Sequence, residues 1–256
     1  MFLGGSRKEK LDNDQGKGLV PLIIKFDNIA GSQDLELNGK LYTNTSGESF
    51  SISQLQYFVS NIKLRRIDGT EYAINPDDSY FLVQESDPAT QMVKLKVPAG
   101  DYHQLTFVLG VDSLRNTMNI SKRTGVLDPA SSMDNGMYWS WNSGYIFFKM
   151  EGESSAAPAD PVGNRKFRYH IGGFGGYSAP TINNIRAISV DLGQAGIAKA
   201  RKNKKPIIYV GADILKVFDA TTSVSITTHP SIMFSEYSVN IANNYSKMFA
   251  HLRTEN

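Results

Sequence analysis

"SISQLQYFVSNIKLRRIDGTEY", residues 51–72, is the stretch on which the fold turns. Tyr57, Val59, Ile62 and Leu64 are spaced apolar positions with polar residues among them, and Asp68-Gly69 ends the run. Side chains of a strand alternate between faces, so the period-two pairs Tyr57/Val59 and Ile62/Leu64 each read as strand with a buried side. Asp-Gly tolerates positive φ and cues a tight hairpin. A strand with a hairpin return is expected here.

The same pattern continues outward. Upstream, "LVPLIIKFDNIAG" reads as a strand, and "DLELNGKLYTNTSGESFSI" alternates and carries two turn signals, Asn38-Gly39 and Ser46-Gly47. Downstream, "SYFLVQES", "MVKLKVPAG", "DYHQLTFVLGVDS", "IFFKMEG", "RKFRYHIGGFGG", "NNIRAISVDLG" and "KPIIYVGADILKVF" read as further strands. Leu114 to Asn135 reads as a long loop or weak helix, residues 153–164 as a surface turn, and the stretch from Pro230 onward as a modest C-terminal helix. Short strands, turns at intervals of about 8–12 residues and no regular strand–helix alternation point to an all-β fold. The expected architecture is an antiparallel β-sandwich, Greek-key and Ig- or jelly-roll-like, with one long loop and a short C-terminal helix. The expected organisation is a flexible leader over residues 1–19, one domain over 20–250 and a tail over 251–256. The leader, "MFLGGSRKEKLDNDQGKG", is the kind of polar, Gly-rich tether that follows the lipid-anchored residue of an exported lipoprotein.

Composition narrows the chemistry. The chain has 256 residues and a formal net charge of +2, with its charges scattered. The one basic run, "KARKNKK" at Lys199–Lys205, lacks an aromatic platform and reads as a solvated loop between strands, so no nucleic-acid partner is expected. There are no cysteines, which excludes disulfides, zinc thiolates, iron–sulfur clusters and thiol catalysis. No G-x-S-x-G elbow occurs, and His103, His170, His229 and His251 are far apart in the chain. The expectation is therefore a non-enzymatic protein. "HIGGFGGY" has its glycines at the wrong spacing for a dinucleotide fingerprint and reads as a tight loop passing close to a neighbour.

Two kinds of metal site remain. Asp112, Asp128 and Asp134 flank the long middle loop and offer oxygen ligands for calcium, although their spacing matches no EF-hand. Copper(I) can be held by one or two imidazoles and an unusual third donor, and His170 ends a predicted strand beside a Gly-rich loop. "MYWSWNSGYIFFKMEG", residues 137–152, holds both tryptophans, Trp139 and Trp141. Two indoles two positions apart are core, or with Tyr145 an exposed stacking platform for a glycan, or part of the surface of an interaction protein.

Taken together and in order, "LIIKFDNIAGSQDLELN", "DSYFLVQESDPAT", "VPAGDYHQLTFVLGVDS", "GVLDPASSMDNGMYWSWNSGYIFFKMEG" and "FRYHIGGF" resemble the MbnP-like family, the methanobactin partner proteins of Gram-negative bacteria. The resemblance spans about residues 20–250. It implies an exported β-sandwich, periplasmic or at the outer-membrane surface, attached to the membrane only through an N-terminal lipid anchor. It further implies a copper(I) site in which histidine joins a tryptophan oxidised to kynurenine by a diheme cytochrome c peroxidase-type partner. By motif, that tryptophan is Trp139 and the histidine is His170. A histidine expected close after the modified tryptophan is replaced here by Trp141, and His103 could take its place only if the fold brings it near.

Overall fold

A computed structural model of the chain describes residues 18–141 and 144–256. Nearly all of the expected leader, and Asn142 and Ser143 of the tryptophan motif, lie outside the described residues. In chain order the strands are β1 (Leu19–Ala30), β2 (Gln33–Asp34), β3 (Tyr42–Thr43), β4 (Ser49–Arg66), β5 (Glu71–Ala73), β6 (Tyr80–Gln84), β7 (Met92–Pro98) and β8 (Gly100–Leu109). Two short helices follow, α1 (Ser113–Thr117) and α2 (Pro129–Asp134). Then come β9 (Tyr138–Trp139), β10 (Gly144–Ser154), β11 (Lys166–Gly172), β12 (Arg186–Asp191), β13 (Ala198–Ala200), β14 (Ile207–Asp213) and β15 (Ser231–Ile232). Helix α3 (Ser238–Tyr245) and strand β16 (Phe249–Glu255) end the chain.

Two sheets pack face to face. The first runs β16-β14-β1-β2, with β7 also on β1; the second runs β12-β8-β4-β10-β11-β15, with β3, β5 and β6 on β4, β13 on β8 and β9 on β10. The hairpin expected at Asp68-Gly69 joins β4 to β5, pairing Arg65 with Glu71. Alternate residues of β1, namely Leu22, Ile24 and Phe26, are fully buried against the second sheet. Phe26 meets Phe107 edge-on at 5.4 Å and Tyr57 at 6.3 Å; each such pair adds about 0.5–1.5 kcal/mol beyond its buried area.

Two features depart from the sequence expectation. The sheets are mixed rather than purely antiparallel: β14 runs parallel to β1 and β15 parallel to β11. The C-terminal helix is short, as expected, but residues 249–255 after it form a strand on β14 rather than a helix end and tail. The middle segment holds α1, α2 and two single 3-10 turns, and it covers the outer face of the second sheet.

That cover explains where alternation stops. Every residue of β4 from Leu55 to Ser60, and of β10 from Gly144 to Met150, is buried. One face of these runs joins the main core through Leu55, Tyr57, Phe148 and Met150. The other joins a second cluster of Phe58, Leu82, Val111, Leu127, Met137, Trp139, Tyr145, Ile146, Phe147 and Phe174. A strand apolar on both faces, such as "YIFF" at residues 145–148, is what a doubly covered sheet needs.

Candidate functional site

The site lies at the rim of this second cluster, where the outer face of β10 and β11 turns polar. In β11, Phe167, Tyr169 and Ile171 enter the main core, so His170 and Gly172 point to the opposite face. His170 pairs in register with Lys149 of β10, Lys149 with Gln56 of β4, and Gln56 with Gln84 of β6. A polar row thus crosses four strands.

Glu151 stands diagonally from His170 and accepts a hydrogen bond from its Nε2 at 2.7 Å. Lys149 Nζ lies 3.5 Å from the same carboxylate oxygen and donates to the Gly136 carbonyl at 3.4 Å. Gly136 combines a positive φ of 65° with this close approach: a β-carbon there would stand 2.7 Å from Lys149 Nζ. Burial pushes His170 below its ordinary value, and the Lys149 charge adds to that; the Glu151 hydrogen bond opposes both without winning. For Glu151, burial acts upward, but the His170 hydrogen bond and the Lys149 charge hold it below the usual carboxylate value. An ionised carboxylate only accepts, so Nε2 carries the proton, and in the neutral ring Nδ1 is left with the lone pair. Gln56 is 4% exposed, and its Oε1 has no hydrogen-bond partner among the described residues.

Trp139 closes the rim. Its ring lies against Gly172, where a β-carbon would stand 2.6 Å from Cζ3 and 2.5 Å from the Tyr145 carbonyl. Gly172 is two residues from His170 on the same face, a separation of about 7 Å. Indole and imidazole therefore share one face of β11. Trp139 is 7% exposed and Trp141 66%. Their rings sit 5.3 Å apart at 39°, and Phe234 meets both edge-on at 6.2 and 6.3 Å. Tyr145 is fully buried and its hydroxyl donates to the Leu127 carbonyl. A three-ring glycan platform is therefore not formed: Tyr145 and Trp139 face inward, and the two indoles are not coplanar.

The other sequence candidates fall elsewhere. His103 lies on β8 between Tyr102 and Gln104, which pair with Arg66 and Arg65 of β4. Gln56, in the His170 row, is nine residues from Arg65 along that strand, or about 30 Å. Asp112 is committed to structure. Its Oδ1 accepts from the Arg115 amide at 2.9 Å, and its Oδ2 from Asn61 at 2.9 Å and from the Tyr80 hydroxyl. Asp128 caps α2 through the Ala130 amide at 3.2 Å, and Asp134 is exposed at that helix's end. Among the described residues, no three His, Asp or Glu side chains gather to hold a metal ion. The "HIGGFGGY" stretch is the tight loop expected, with Gly173, Gly175 and Gly176 all at positive φ. The basic run takes in the end of β13 and the exposed turn that leads to β14.

Glu151, Lys149 and Gln56 were not legible as site residues from spacing alone. The available signal was the hairpin over residues 153–164, whose antiparallel return sets 149 opposite 170.

Comparison with known proteins gives the following. A family model described as MbnP matches residues 20–234. A solved structure, MbnP from Methylosinus trichosporium, superposes with a TM-score of 0.57 at 17% identity, covering 85% of this chain and 82% of that one. No curated protein matches the chain.

Proposed function

Since this chain belongs to the MbnP family, we propose that it is an exported, non-enzymatic copper(I)-binding protein of the periplasm or outer-membrane surface. Trp139 and His170 carry the site. The observation that supports this reading most is the Glu151–His170 hydrogen bond beside Trp139. Metal-bound histidines commonly donate their second ring nitrogen to a carboxylate, which fixes the tautomer and the ring. Here Glu151 does that, and Nδ1 is the ligand atom.

The residues present fit copper only in part. His170 supplies one imidazole. Trp139 supplies an indole N–H, which is a donor and not a ligand. Trp141 stands where a further histidine is expected, and Gln56 Oε1 is a harder oxygen than copper(I) prefers. A second good donor arises if the Trp139 ring is opened to kynurenine, which carries an aniline nitrogen and a carbonyl oxygen. In this reading a diheme peroxidase-type partner performs that oxidation, and the exposed Trp141 and half-buried Phe234 form the lip it approaches.

Intact-mass measurement of the chain from its native host tests the modification. Loss of one carbon and gain of one oxygen at Trp139 is expected. An unmodified Trp139 in protein that nevertheless binds copper(I) tightly would remove the tryptophan from the account.

A further inference from the structure

A second opening lies away from the tryptophan rim, on the side of the sandwich. It is a cavity of about 630 Å³ lined by Leu19, Tyr72, Ile74, Phe81 and Leu95, with Asn75, Asp78, Lys94 and Lys96 around it. It sits between β7 of the first sheet and the β5–β6 edge of the second. Among the described strands, β7 pairs only with β1, and β5 and β6 only with β4. None of the described strands therefore bridges the two sheets on this side. The core shows it: Leu95 is 6% exposed and Tyr72 and Ile74 are 8%, while Val93, Val97 and Leu64 beside them are 1% or less. Leu19 and Phe81, only partly buried, pack on the main core from the cleft.

The charges beside this apolar floor are unbalanced. Lys94 and Lys96 stand two residues apart on β7, both exposed, and neither side chain forms an ion pair or hydrogen bond with a described residue. Lys25, Lys40, Lys63 and Lys149 each face a carboxylate. Asp78 is the single acidic residue of the lining. Lysines on an edge strand discourage strand addition, but that role does not account for the open floor next to them.

We propose that this cleft binds a free, single-chain amphipathic anion of the fatty carboxylate class. The chain lies on Leu19, Tyr72, Ile74, Phe81 and Leu95, and the carboxylate meets Lys94 and Lys96. The volume falls within the range of small-molecule sites, which are mostly apolar with a few placed polar groups. The site is independent of Trp139 and His170.

The test is a fluorescence titration of the full chain with dansylaminoundecanoate, with laurate and dodecanol as competitors. Saturable, blue-shifted emission is expected, displaced by laurate and only weakly by dodecanol. Lys94→Glu/Lys96→Glu changes only exposed side chains and should weaken binding by about tenfold. Absence of saturable binding, undiminished binding by that variant, or equal competition by dodecanol each overturns the proposal.

Discussion

Glu151 holds His170 across the β10–β11 ladder by a 2.7 Å hydrogen bond, two residues off the register that sets His170 opposite Lys149. The pair sits on the face of β11 that Trp139 covers two residues further on. Orientation of one imidazole beside one indole is what the fold contributes to the proposed site.

Removing the carboxylate should lower the histidine further. The Glu151 hydrogen bond acts upward on His170, against burial and the Lys149 charge. In Glu151→Gln, the His170 ring proton should therefore titrate at lower pH than in the parent, and in Lys149→Met at higher pH. Histidine ring resonances followed by NMR across the acid range read both. Opposite signs would mean that Glu151 does not accept from this ring.

Gly172 is where the site depends on a missing side chain. Its backbone is extended, so the constraint is space and not φ. Gly172→Ala would press a methyl group against Trp139 Cζ3 and the Tyr145 carbonyl. Overpacking of this kind costs about 1–3 kcal/mol. Chemical denaturation should show that loss, with a change in tryptophan emission as the Trp139 ring is displaced. A variant with parental stability and spectrum would contradict the packing described.

Glu48 ties the β3–β4 hairpin to the loop before β15. It accepts from the Ile226 and Thr227 amides at 2.8 and 3.0 Å, and from the Ser225 and Thr227 hydroxyls at 2.7 and 2.8 Å. Burial acts upward on this carboxyl, but the Asn44 side chain and the loop donors bring it down to about 2. A depressed carboxylate stabilises above its unfolded value, and that stability fades as pH falls through the interval down to about 2. Glu48→Gln should cost about 1–2 kcal/mol at neutral pH, toward the low end because the group is partly solvated. The difference from the parent should shrink toward pH 2, the value to which the carboxyl is depressed, in thermal melts run against pH.

Asp112 and Asp134 should separate cleanly. Asp112 caps α1 and anchors Asn61 and Tyr80, so Asp112→Ala should cost about 1–3 kcal/mol. Asp134 is exposed at a helix end, and Asp134→Ala should stay within about 0.5 kcal/mol. Melting temperatures of the two variants decide it. Equal losses would point to a shared role for the middle-loop acids, such as a common cation.

The strands were legible because their signals are local. The apolar pairs Tyr57/Val59 and Ile62/Leu64 and the Asp68-Gly69 turn mark β4 and its hairpin within 22 residues. The parallel pairing of β1 with β14 joins segments about 180 residues apart, and no local pattern states it. Strand β16 was read as helix end and tail because "FAHLRTE" is half exposed and acquires its conformation from β14. At the site, the tryptophans and His170 were visible as motifs, while Glu151 and Gln56 became visible only through register. Whether His103 came near the site was open in the sequence, which carries no measure of the length of β4. Asp112 looked like a ligand because a cap and a ligand use the same carboxylate oxygens.

The central claim is that His170 and an oxidised Trp139 hold copper(I) together. The direct measurement is a copper(I) titration, against a chromophoric copper(I) chelator, of chain whose Trp139 carries the carbon-for-oxygen mass change, with and without His170→Ala. The account predicts one copper(I) bound by the oxidised parent, with binding lost in His170→Ala and in unoxidised chain. Binding that is absent from the oxidised parent, or undiminished by His170→Ala, would contradict it.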